Sequence, residues 1–141
     1  MTPGRLFAVA VGGTLVVAGI IGFFYNAEFT DDKSVRDAVF GILDVNGWHN
    51  VVHLASGALG LLAFAAGARA SRLYALGLGL VYVAIAIWGF ALGNDNEALL
   101  GIIPINSEDD VLHAGIGVLG LASFLASPAP GVPSGTRQTA A

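Results

Sequence analysis

The sequence predicts an all-α fold: a four-transmembrane-helix bundle built from two parallel helical-hairpin repeats, with short amphipathic helices on its outer surface. Three observations carry that expectation. The 141 residues are 55% hydrophobic and 11% charged, with a mean hydropathy of +0.76; a soluble domain averages roughly 25% charged. So few charges cannot supply the polar surface that keeps a small soluble fold dissolved. Four stretches reach the length of about 20 apolar residues that a helix rising 1.5 Å per residue needs to cross a bilayer. Finally, residues 37–64 align with residues 97–124 without a gap, at a constant offset of 60.

The four spans run from Leu6 to Asn26, from about Trp48 to Ala68, from Leu73 to Gly93 and from about Asp109 to Ser127. The first and third contain no charge. Pro128 and Pro130 follow the last span and cannot continue it. The first span follows Arg5, as a signal peptide would. Its apolar stretch exceeds the usual core of about 7–15 residues, and no good cleavage site follows, so it reads as a retained helix. Residues 1–127 form the transmembrane domain, with repeat units of about 6–68 and 73–127. Residues 128–141 are rich in Pro, Ser, Gly, Thr and Ala and read as a disordered cytoplasmic tail.

Basic residues sort by side. Arg5 precedes span 1, Arg69 and Arg72 read as the turn between spans 2 and 3, and Arg137 lies in the tail. All ten acidic residues fall in the other two loops, with Lys33 and Arg36 the basic residues there. The positive-inside rule then places both termini in the cytoplasm and the acidic loops outside the plasma membrane. Trp48 would mark the outer interface and Tyr74 the inner one. The net charge of −4 argues against nucleic acid as a partner. The absence of cysteine excludes disulfides, zinc–thiolate sites and thiol nucleophiles.

Within the 28 aligned positions of the repeat, 11 are identical, among them Asn46/Asn106, His53/His113, Gly57/Gly117 and Gly60/Gly120. Spans 1 and 3 match more weakly at an offset of 67, through pairs such as Gly12/Gly79 and Gly22/Gly89. Each unit crosses twice, so both copies share one orientation, as parallel repeats about a pseudo-twofold along the membrane normal do. Val35, Ala38, Val39, Ile42 and Leu43 recur at helical spacing, which predicts an amphipathic outer helix. Glu97 to Ile103 would be its shorter copy, ended by Pro104. Asn46 and Asn106 suit helix N-caps, and Asn106 with Asp109 resembles a capping box.

The candidate site lies on two matching stripes. Asn50, His53, Gly57, Gly60 and Phe64 share one face of span 2; Asp110, His113, Gly117, Gly120 and Phe124 share one face of span 4. The glycines permit close helix packing, and a histidine on such a face points away from lipid. His53 and His113 could line one site, with His49 and Asp110 as further metal ligands or orienting partners. They could instead hold a haem from two sides, or serve purely as hydrogen-bonding crosslinks between helices. No catalytic serine motif, phosphate loop or zinc-protease motif is present, which disfavours an enzyme.

At Asn46-Gly47-Trp48-His49-Asn50-Val51-Val52-His53, then Gly57 and Leu59-Gly60-Leu61, the chain resembles the bacterial family of domain-of-unknown-function 4383. The likeness continues through residues 100–106, Asp110-Val111-Leu112-His113 and Gly117, and covers about residues 5–127. It implies four transmembrane helices in a plasma membrane and no activity. Three functions follow as expectations. The preferred one is a structural or accessory membrane component with no cofactor, its partners being the bilayer and another membrane protein or a second copy. The others are a metal- or haem-binding protein and a small oligomeric carrier or channel.

Overall fold

The computed structural model describes residues 1–30, 32, 37–93 and 98–129. Four long helices dominate it: α1 (Pro3–Tyr25), α2 (Gly47–Ala66), α3 (Ala68–Leu92) and α4 (Ser107–Ala126). Each is long and apolar enough to cross a membrane, which marks the chain as a multi-pass membrane protein. Many large apolar side chains point outward, Leu62, Ile87 and Leu125 each being at least 65% exposed. In water such a surface would aggregate; in a bilayer it is solvated.

Local chemistry sets the helix ends. Thr2 caps α1 by accepting from Arg5 N, and Pro3 occupies the first turn, where its missing N–H costs nothing. Asn46 and Asn106 cap α2 and α4, each side-chain oxygen accepting from the backbone N–H three residues on, that of His49 or Asp109. The expected capping box is present, with Asp109 returning a bond to Asn106 N at 3.2 Å. Gly67 alone separates α2 from α3, at φ +106°. Arg69 and Arg72 therefore lie in the opening turns of α3; the turn that the sequence assigned to them is a single glycine. Arg5 stacks on the Phe64 ring at 4.6 Å and Arg72 on the Phe124 ring at 3.8 Å, so these cations share one end of the molecule with the close of α2 and α4.

α1 packs along α2, and α3 along α4, with lesser contacts joining α1 to α3 and α4 and α2 to α3. Glycines make both main contacts. A Cβ on Gly57 would meet Gly12 O and Val16 N, and a Cβ on Gly117 would meet Val83 N and Gly79 O, all within 2.7–3.1 Å. Residues 12 and 79 differ by the offset of 67, as do 16 and 83, while 57 and 117 differ by 60. Phe7 and Leu15 of α1 meet Ala75, Leu78 and Tyr82 of α3 in the buried core.

The outer helices expected over residues 35–43 and 97–103 are absent from the described part of those segments. Two β-hairpins stand there: β1 (Asp37–Val39) with β2 (Leu43–Val45), and β3 (Ala98–Leu99) with β4 (Ile103–Pro104). Residues 31, 33–36 and 94–97, which include the start of each expected helix, lie outside the described residues, as does the tail from residue 130. The reason for the difference is turn chemistry. Phe40 and Gly41 both take positive φ, as do Leu100 and Gly101, which is the backbone of a tight hairpin turn and incompatible with a right-handed helix. Of the residues that read as a helical stripe, Val39 and Leu43 lie on the strands and turn toward the protein, while Ile42 sits exposed in the turn.

The two hairpins are tied across. Asn46 Nδ2 donates to Ile102 O at 2.7 Å, and Asn106 Nδ2 donates to Ile42 O at 2.7 Å. Each asparagine thus caps its own helix and clamps the turn of the opposite hairpin.

Candidate functional site

All three histidines of the chain converge beneath the hairpins. His49 and His53 stand one turn apart near the start of α2, and His113 stands at the matching depth of α4. Their ligand nitrogens all lie within 4.8 Å of one another. Ring centroids are 4.5 Å apart for His49–His53 and 6.2 Å for His49–His113. His49 and His113 are buried, and Nδ1 of each has no hydrogen-bond partner. An unpartnered buried polar atom costs about 1–3 kcal/mol, so two in one cluster call for an explanation.

The rings border a cavity of about 30 Å³, room for one water-sized occupant. Its other walls are apolar: Val52 from α2, Ile85 from α3, and Leu99, Ile103 and Ile105 from the second hairpin and the residue after it. Tyr82 closes the floor, its ring 5.0 Å from that of His113 and edge-on to it. The backbone at Asp44 and Pro104 lies beside the His49 ring. His53 is half-buried and also lines a groove of about 230 Å³ between α1 and the first hairpin, shared with Asp109, Thr14 and Phe40.

The other stripe residues divide from this cluster. Asp110 is 1% exposed, and its carboxylate packs against the backbone of Gly89 on α3. Asn50 is fully buried, packs in the same manner on Gly22 of α1, and donates to Asn26 O at 2.7 Å. Neither belongs to the group of nitrogens that could share an ion. Both therefore fill notches in the neighbouring helix, where the sequence had set Asp110 as a ligand and Asn50 as a packing residue. Gly57, Gly60, Gly117 and Gly120 are buried at helix contacts.

Sequence reasoning missed the hairpin roof and Tyr82. The roof was hidden because residues 98–105 read as the end of a surface helix. Tyr82 was legible: Gly79, Tyr82, Ala86 and Gly89 repeat at spacings of 3, 4 and 3 and form the buried face of α3.

The position of His49 marks where the two halves diverge. Its counterpart at the offset of 60 is Asp109, which accepts from Asp44 N at 3.1 Å. The residue matching Asp44 is Pro104, which has no N–H to give. A carboxylate at position 49 would find no such donor, and the chain places an imidazole there.

Three neutral nitrogen donors around a cavity of this size can hold a single transition-metal ion, for which imidazole is the commonest protein ligand. Nitrogens bound to one ion at about 2.0–2.1 Å lie about 3.3–3.6 Å apart, so a movement of roughly 1 Å would close the set. No curated protein and no solved structure matches the chain. One family model does, over residues 5–126, and its description is a domain of unknown function. With that match spanning nearly the whole described fold, the chain belongs to the DUF4383 family.

Proposed function

We propose that this protein is a plasma-membrane metal-binding protein that holds one transition-metal ion at its outer end through His49, His53 and His113. The observation that carries the reading is the meeting of those three imidazoles in an apolar cavity, with two buried Nδ1 atoms unpartnered. The cavity volume favours a bare ion over a haem, whose macrocycle needs a pocket of at least about 300 Å³. The groove beside His53 offers an entry route. Metal analysis of the protein, purified without chelator and then reconstituted under defined metals, should find one ion per chain. Replacing all three histidines with alanine should abolish it.

We read the scaffold as two parallel hairpin repeats, supported by the matched glycine contacts and the reciprocal Asn46 and Asn106 bonds. The hairpin end faces outward and both termini face the cytoplasm; Arg5, Arg69 and Arg72 at the opposite end support this orientation. Cysteine placed at Glu108 should react with an impermeant thiol reagent from outside intact cells, and cysteine at Ser134 should not. Labelling of Ser134→Cys alone would invert the topology.

A second reading, an accessory component that works through helix packing, is favoured by the glycine faces that close both hairpins. Under it the histidines only crosslink helices, and no reconstitution would load an ion. A carrier or channel is least supported, because the same glycine contacts bring the backbones of the paired helices together.

A further inference from the structure

We infer that the ion the histidine centre selects is cuprous copper, Cu⁺, held by three neutral imidazoles with no fourth ligand. The inference rests on the metal-binding reading above and adds the identity of the ion. Charge is the first argument. The donor set contains no carboxylate and no thiolate: the ligand nitrogens come from His49, His53 and His113, and Asp110 is turned away onto Gly89. Asp44 is close enough to act electrostatically on His49, and it is not among the groups that can reach the shared ion. The walls are Val52, Ile85, Leu99, Ile103 and Ile105. The cost of placing an ion in such surroundings grows with the square of its charge, so a dication bears about four times the penalty of a monocation.

Coordination number is the second argument. Zn²⁺ in a three-histidine site completes its shell with a water or hydroxide, and divalent ions of the first row generally seek four or more ligands. The cavity of about 30 Å³ holds one small occupant. An ion placed there leaves no room for a hydrated neighbour, and among the described residues no side-chain oxygen of the hairpin roof lines the cavity. Zn²⁺ and Cu⁺ both have filled d shells that impose no geometry; the single charge of Cu⁺ is what lets three nitrogens complete its shell. The chain has no cysteine, and its one methionine is Met1. The softer sulfur ligands that would give Cu⁺ an alternative home are therefore lacking near the site.

The test is a paired titration of the purified full chain in detergent. Cu⁺, kept reduced by ascorbate without oxygen, is titrated against bicinchoninate; Zn²⁺ is titrated against a fluorescent zinc indicator. Cu⁺ should bind at one equivalent and at least about 100-fold more tightly than Zn²⁺, the direction set by charge in an apolar site. X-ray absorption of the copper-loaded protein should show nitrogen scatterers alone in the first shell, near three in number, and His113→Ala should remove the tight site. One equivalent of Zn²⁺ bound as tightly as Cu⁺ would overturn the copper assignment and leave the metal-binding reading standing. Binding of neither ion by the wild-type chain would overturn both.

Discussion

Replacing Gly57 with alanine should lower the thermal stability of the protein in detergent by about 1–3 kcal/mol, the usual range for overpacking a filled interior. The new Cβ would sit 2.7 Å from both Gly12 O and Val16 N, backbone atoms that cannot swing aside. Helices α1 and α2 would have to separate, loosening the largest helix contact in the molecule. Gly117→Ala should behave alike, because its Cβ would meet Val83 N at 2.8 Å. Gly13→Ala and Gly115→Ala make the control: a Cβ at either position meets nothing. There the gain in helix propensity, about 0.5–1 kcal/mol, should raise the melting temperature. Thermal melts of the four variants decide the matter. Four shifts of one sign would refute the packing account.

Each single change of His49, His53 or His113 to alanine should weaken metal binding by more than about 100-fold, beyond the 10–100-fold typical of losing an outer-shell partner. Asp110→Asn should leave the affinity unchanged. That substitution writes into α4 the residue that α2 carries at the matching place, and Asn50 already fits the equivalent notch on Gly22. Competition titrations on the four variants separate the cases. A large loss in Asp110→Asn would return the carboxylate to the site; an unchanged affinity in His53→Ala would remove that histidine from it.

Much of the fold was legible because the bilayer simplifies the code. Length and hydropathy located α1 to α4 to within a few residues, and the caps at Asn46 and Asn106 followed from side-chain chemistry alone. The hairpins were not legible. Val39, Ile42 and Leu43 fit a helical stripe in sequence, and the deciding feature against it is the backbone at Phe40 and Leu100. These residues take φ of 53° and 55°, a conformation that side chains other than glycine, asparagine and aspartate rarely adopt. The repeat of Gly41 as Gly101 was the available clue. At the site, the grouping of His53 with His113 could be read from equal depth and matching faces. The packing of Asp110 against Gly89 could not, because a carboxylate one turn from a histidine looks like a partner until the notch in α3 is seen.

The divergence of His49 from Asp109 bears on how such a centre could arise. Two identical hairpins related by a twofold axis can bring ligands to that axis only in pairs, two or four at a time. His53 and His113, equivalent residues whose nitrogens lie within 4.8 Å, are such a pair. A third imidazole without a mate requires the two halves to differ in sequence. Only a single chain carrying both halves can guarantee that every assembled molecule contains one of each. In the proposed two-repeat metal centre, joining the halves through Gly67 is what makes an odd number of ligands possible: a dimer of either half alone would present His49 twice or not at all.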